Sequence, residues 1–460
     1  MNVAVLGLWH LGAVTAAGAA AAGHDVAAWD PDAGVVARLA RAEPPVAEPG
    51  LPELVAAGLA SGKLRIAENL RAAVADAAVV WITFDTPVDD EDRADVGYVV
   101  GQIAAALEFV RADAVILVSS QVPVGTARQL ESECARRRAG SAISFACSPE
   151  NLRLGKAIAV FTAPDRVVIG ARTPQARDVL AALWAPITDR IEWMSVESAE
   201  MTKHAVNAFL ATSVTFINEL AAVAERYGAD AREVERGLKT ERRIGPSAYL
   251  SPGGAFAGGT LARDVNFVRD LADRIGLETP FFDGIVVSND AHRGWARRRL
   301  VHELGPIAGK TIAVWGLTYK PGTDTLRRSE AITLCRFLIA GNARIAVHDP
   351  AVRELPEDLR GQCRRADDPI DAARGADALV VATEWPAYRA VDADALAAAM
   401  PARLILAEAM PTRLILAEAM PTRLILAEAM PTRLILDANR FLGPVVGADR
   451  RFRLLSVGQP

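Results

Sequence analysis

The chain has 460 residues, 51% hydrophobic and 23% charged, with a formal net charge of −5. This length exceeds what one core serves and implies two or three domains, and the composition excludes a disordered or fibrous chain. Mild acidity without a basic block excludes a nucleic-acid surface, so no nucleic-acid partner is expected. Residues 3–23 are apolar enough to resemble a signal peptide, yet they lack a basic start, and His10 and two glycines interrupt them. They read instead as a strand at 2–7, a tight turn, and a small-residue helix at 12–22. A second strand, HDVAAWD, ends at Asp30.

The turn GLWHLG at 7–12 has the frame of a dinucleotide loop, G-x-G-x-x-G, and the acid lies about 20 residues further on. Gly7 and Gly12 are in place, but Trp9 fills the position where a glycine lets backbone approach a pyrophosphate. Either the indole turns away and the loop shifts, or the pyrophosphate is excluded. Further strands are expected at 77–84, 114–120 and 165–170, with helices between them.

From 198 to 227 apolar residues recur at helical spacing, ending at Gly228. Lys203 and Asn207 stand four apart there and so share a face. Residues 200–300 read as mostly helical, interrupted by a glycine-rich loop at 251–259. A second α/β pattern begins at Lys310, with strands in KTIAVWGLTYK, ARIAVHDP (343–350) and ADALVVATEW (376–385). Residues 400–439 repeat a ten-residue unit four times, ending MPTRLILDAN. A proline in each copy argues against one helix, so the array reads as one strand segment expanded in tandem, an assembly surface being the alternative.

The fold class is therefore α/β: two Rossmann-like doubly wound domains joined by a long central helical segment. The expected domains are 1–195, 196–305 and 306–460. No stretch other than the N-terminus is long and apolar enough to span a bilayer, so no membrane association is expected. Cys134, Cys147, Cys335 and Cys363 are far apart. They suggest no metal site and no disulfide framework, and they suit a reducing cytoplasm.

An ordered set of motifs resembles the UDP-glucose/GDP-mannose dehydrogenase family. It comprises EPGLPEL (48–54), VPVGT (122–126), SPENLRLGKAI (148–158), PDRVVIG (164–170), KHAVNAFLATSVTFINE (203–219), RRIG (242–245), GLTYKPGTDTLRRS (316–329), HDP (348–350) and TEW (383–385). The resemblance implies an NAD-dependent oxidoreductase of polysaccharide biosynthesis. Its N-terminal domain would bind NAD and its C-terminal domain a sugar nucleotide, a UDP-sugar first among them. Two successive oxidations would take the sugar's primary alcohol to a carboxylate through a cysteine thioester. A cytoplasmic homodimer or higher oligomer, with the central helix at the interface, is implied too.

Carried over residue by residue, the resemblance gives Lys203, Asn207, Asp264 and Glu150 catalytic roles, with Thr260 at the nucleophile position. Lys203 has a plainer alternative as a solvated helix lysine. Gly7, Trp9, Leu11, Gly12, Asp30, Thr86 and Gln121 would line the cofactor, and Arg243, Gly258, Lys320 and Arg327 the sugar nucleotide. The departures are Thr260 for cysteine, Arg263 for lysine, Leu154 for a second glutamate, Gln121 for threonine, and Asp85 and Trp9 for glycines. A threonine hydroxyl is a far weaker nucleophile than a thiol and a poorer leaving group as an ester. The expectation is a UDP-glucose-like 6-dehydrogenase with altered or partial oxidation. The alternative is a catalytically impaired sugar-nucleotide-binding or regulatory protein on the same fold.

Overall fold

Val3, Ala4, Val5 and Leu6 are all buried. A strand apolar on both faces belongs inside a parallel sheet covered by helices. The computed structural model describes residues 1–87, 95–150, 152, 155–256, 260–402 and 432–459, and these fall into two compact units. The first comprises Met1–Ala208 and Arg263–Glu278, the second Phe209–Ala262 and Thr279–Pro460.

Unit 1 holds an eight-stranded sheet. Its strands are β1 (Asn2–Leu6), β2 (Asp25–Trp29), β3 (Leu64–Ile66), β4 (Val79–Ile82), β5 (Val115–Val118), β6 (Ser144–Cys147), β7 (Val167–Ala171) and β8 (Ile191–Met194). Their order is β3-β2-β1-β4-β5-β6-β7-β8, parallel except where β7 runs against β6. The helix His10–Ala21 follows β1 and buries Gly12, Ala13, Ala16, Ala17 and Ala20. These small residues let it lie close to the sheet. A Cβ on Gly18 would already sit 2.4 Å from the Phe161 ring.

Unit 2 repeats the plan with six strands: β9 (Thr311–Trp315), β10 (Arg344–His348), β11 (Cys363–Arg365), β12 (Ala378–Val381), β13 (Arg433–Asp437) and β14 (Phe452–Leu455). All pair in parallel in the order β11-β10-β9-β12-β13-β14. Trp315 and Tyr388 stack in its core with ring centroids 5.0 Å apart. Burial of such large rings contributes about 1.5–3 kcal/mol each. β13 comes from the last copy of the ten-residue repeat; residues 403–431 of the array lie outside the described residues. Short strands β3, β6, β8, β11 and β14 add to those expected from sequence.

A helix from Val196 to Tyr227 carries Lys203 and Asn207. By length and composition it is apolar enough to cross a membrane, which corrects the expectation that no such stretch exists beyond the N-terminus. Its face bearing Glu200, His204, Asn207 and Asn218 is buried in protein.

Candidate active site

In unit 1 the turn after β1 is set by Gly7, whose φ is +93° and where a Cβ would lie 2.6 Å from the Phe84 backbone nitrogen. Only glycine meets both conditions. Its N–H donates to the Trp29 carbonyl at 3.0 Å. A Cβ on Gly12 would lie 1.6 Å from the Gly7 carbonyl oxygen, so the turn and the helix that follows it touch backbone to backbone. Trp9 is the N-cap, makes no side-chain capping bond, and is 47% exposed. The first helical amides, at His10, Leu11 and Gly12, have no partner within the helix and face its end, where they suit an anion.

The Asp30 carboxylate, at the end of β2, accepts from Leu8 N at 2.6 Å and Asp32 N at 2.9 Å. Buried Glu48 pins this end of the sheet. It accepts from Gly155 N, Ala157 N and the His10 ring at 2.7, 2.8 and 3.0 Å. Burial pushes its carboxyl up, but those bonds together outweigh it and hold the group below its ordinary range. Asp85, after β4, is exposed. The surrounding protein, and Glu150 after it, nevertheless push its carboxyl up.

The catalytic candidates of unit 1 form two hydrogen-bonded groups along the helix of Lys203 and Asn207, one at Glu150 and one around Asp264. Lys203 Nζ donates to the Glu150 carbonyl at 2.7 Å and to Glu150 Oε1 at 3.1 Å. Asn207 Nδ2 donates to Asp264 Oδ2, and Gln121 Nε2 to Asp264 Oδ1 at 2.5 Å. Arg263 donates to Gln121 Oε1, and Thr86 Oγ1 donates to the Gln121 carbonyl at 2.5 Å. Arg263 is buried enough that desolvation lowers its pKa, with Asp264, Asp85 and Glu150 pulling the other way. Its Nε has no partner among the described residues. Asp264 is fully buried in the helix Thr260–Arg274, and Thr260 opens that helix one turn earlier, exposed. Leu154 and Gly258 lie outside the described residues.

Sequence reasoning passed over His204. Its buried ring faces Asp264 Oδ1 at 2.6 Å through Nδ1 and the Val122 carbonyl at 3.1 Å through Nε2. Glu48 and Glu200 were also missed; Glu200 accepts from Gly125 N and Ala127 N at 2.7 and 2.9 Å. The available signal was polar residues at 200, 204 and 207, the spacing of one helical face. All four cysteines are free and buried, and burial pushes the Cys147 thiol up, away from the reactive thiolate.

Unit 2 has a cavity of about 620 Å³ at the carboxyl ends of β9, β12 and β13. The order of strands reverses between β9 and β12, the usual place for a ligand in such sheets. Lys320, Tyr319, Arg328, Arg293 and Asn439 help line it. Arg327, the neighbour of Arg328, is not among its lining residues. Gly253 and Gly254 approach it under Asn439, whose Oδ1 accepts from Gly254 N at 2.8 Å. A Cβ on Gly253 would meet that oxygen at 2.0 Å. Arg243 stands 88% exposed, paired with Glu241 at 2.9 Å.

Sequence models of the UDP-glucose/GDP-mannose dehydrogenase family match three consecutive regions. These are its NAD binding domain at residues 1–188, its central domain at 197–291 and its UDP binding domain at 313–409. The chain is 33% identical over 426 residues to UDP-glucose 6-dehydrogenase of Pseudomonas aeruginosa, covering 88% of this chain and 92% of that protein. It is 35% identical over 413 residues to the UDP-glucose 6-dehydrogenase of Rhizobium meliloti, covering 88% and 94%. A solved UDP-glucose dehydrogenase from Pyrobaculum islandicum superposes with a TM-score of 0.77 at 32% identity, covering 85% of this chain and 91% of that one. NAD is the cofactor that this domain and these relatives indicate. The tight Gly7–Gly12 turn, the open amides of the helix end and the carboxylate of Asp30 fit it.

Proposed function

Because the chain belongs to the UDP-glucose/GDP-mannose dehydrogenase family, we propose that it oxidises the primary alcohol of a UDP-glucose-like sugar nucleotide, with the first oxidation much faster than the second. The observation that carries this reading is that one helix brings Lys203 onto Glu150 and, one turn later, Asn207 onto Asp264. Bound NAD supplies the hydride acceptor. Gly7, Leu11, Gly12 and Thr86 would hold it at the sheet end, with Asp30 on its ribose and Trp9 and Gln121 beside it.

Two of the three ammonium protons of Lys203 go to Glu150. The third is left for the reacting oxygen, where it stabilises the alkoxide as the hydride leaves carbon. The carboxylate of Glu150 is placed to take the hydroxyl proton. Asn207 orients the same oxygen. The cavity of unit 2, with Lys320 and Arg328, supports binding of the nucleotide diphosphate by charge. Arg327 and Arg243 remain candidates for the same ligand.

A second oxidation needs an adduct that still carries a hydride to give. Thr260 has no base within its own turn of helix, and Cys147 is buried with its thiol pushed up. The aldehyde hydrate is the remaining route. Phe209, Phe216 and Val223, exposed at seven-residue intervals on the Val196–Tyr227 helix, support a homodimer or higher oligomer.

The test is stoichiometric. Incubation with UDP-glucose and excess NAD, with the carbonyl trapped, is expected to give one NADH per sugar. Two NADH per uronic acid at about 10 per second would overturn the partial oxidation. No NADH with any sugar nucleotide would favour a binding or regulatory protein. That second reading draws on Gln121 and Arg263, whose side chains close in around Asp264.

A further inference from the structure

The His204 ring has an oxygen acceptor at each nitrogen, 3.1 Å away at the Val122 carbonyl and 2.6 Å away at Asp264 Oδ1. A carbonyl oxygen only accepts, so Nε2 carries hydrogen. A neutral ring would then turn a bare Nδ1 toward a carboxylate oxygen. One proton must therefore lie on the Nδ1–Oδ1 line, and the partners of Asp264 say which atom holds it. Arg263 donates to Gln121 Oε1, which fixes the amide so that Nε2 points at Asp264 Oδ1. Asn207 donates to Oδ2. With His204, three donors converge on Asp264, which is the environment of an ionised carboxylate, an acceptor only. A carboxyl hydrogen on Oδ1 would compete with the Gln121 N–H for the same oxygen.

We propose that His204 is a positioning residue, an imidazolium that holds Asp264 as a fixed carboxylate and, through it, the amide of Asn207. The pair is buried at 0% exposure for both side chains, and as a neutral ion pair it leaves no net charge there. Phe267, one turn beyond Asp264, covers the ring edge-on at 5.0 Å. Of the nearby charges, Lys203, next to it in sequence, faces Glu150, while Arg263 donates to the neutral Gln121 amide and its guanidinium also acts on Asp264, Asp85 and Glu150. His204 thus ties three segments together. They are its own helix with Lys203 and Asn207, the Gln121–Val122 loop after β5, and the helix of Asp264. With every donor to Asp264 coming from the protein, this carboxylate is an anchor, and the hydroxyl proton goes elsewhere.

The kinetic part of this inference rests on the proposed oxidation; the protonation part does not. Histidine-selective 15N NMR of the unliganded protein, with His204 assigned through His204→Gln, should show hydrogen on both ring nitrogens. Asp264→Asn should abolish that pattern. A bare Nδ1 in the wild-type chain overturns the proposal, and through-bond correlations from the ring to its own backbone assign the signal there if His204→Gln does not fold. In NADH production from UDP-glucose, His204→Gln is expected to lower kcat about tenfold or more with KM changed less than about twofold. A kcat within about twofold of wild type overturns the positioning role. A wild-type chain that makes no NADH counts against the proposed oxidation, and the ring spectrum then decides the case for His204.

Discussion

The ligand ends of the two sheets begin from one mould and diverge within a few residues. Gly7 and Gly316 have φ of +93° and +87°. Their N–H groups donate to the last residue of β2, Trp29, and of β10, His348, at 3.0 and 2.8 Å. The next residue in each strand-to-turn run, Asp30 or Asp349, accepts from the amide after the glycine, Leu8 or Leu317, at 2.6 Å. Beyond that point the first end starts its helix at His10 and leaves its first amides without a side-chain cap from Trp9. The second delays its helix to Glu330 and caps it with Ser329, so recognition passes to side chains of the intervening loop. Asp349 is also more occupied than Asp30, taking bonds from Thr318 N at 3.0 Å and Trp385 Nε1 at 3.1 Å. One turn can thus present either backbone or side chains, depending on how soon the helix begins.

The largest effect should come from breaking the shared turn. Gly7→Val and Gly316→Val each drive a Cβ to 2.6 Å from a backbone nitrogen, of Phe84 or Thr383. Each should cost on the order of 3 kcal/mol or more locally. Calorimetry is expected to show loss of NAD binding with UDP binding kept for the first variant, and the reverse for the second. Loss of both ligands in either variant would show that the two ends do not act separately.

A middling effect is expected where the first end departs from its own pattern. Trp9→Gly removes a half-exposed ring at the N-cap position and should tighten NAD binding about tenfold, or 1.4 kcal/mol. An unchanged dissociation constant would mean that the ring already stands clear of the cofactor. The smallest effect concerns unit 2. Deleting Met400–Ala429 leaves Met430 to follow Ala399, in place of Met400. UDP affinity should stay within about twofold of wild type, a shift below 0.5 kcal/mol. Loss of soluble protein would show that the extra copies support the fold.

The two Rossmann units were legible because glycine turns, apolar runs and terminal acids are local signals. The five short strands were not, since strands such as Leu64–Ile66 and Cys363–Arg365 are too brief to show a period and are fixed by their neighbours. Lys203 and Asn207 could be paired from their spacing alone. Asp264, their structural partner, was placed only by resemblance, because 57 residues separate it from Asn207. His204 escaped notice for the same reason: its partners, Val122 and Asp264, lie 82 and 60 residues away. A histidine between two helix positions carries no mark until the fold supplies its acceptors.

The last repeat copy fills β13, and Asp437 at its end accepts from Leu442 N at 2.7 Å, while Asn439 reaches Gly254. The earlier copies carry Ala407, Ala417 and Ala427 where Asp437 stands, and Ala409, Ala419 and Ala429 in place of Asn439. The strand and its stop signal are therefore specified by the last copy and not by those before it. During DNA replication, polymerase slippage that adds or drops whole copies upstream of Arg433 keeps the reading frame and spares that specification. A change in copy number then leaves untouched the residues that form β13 and end it.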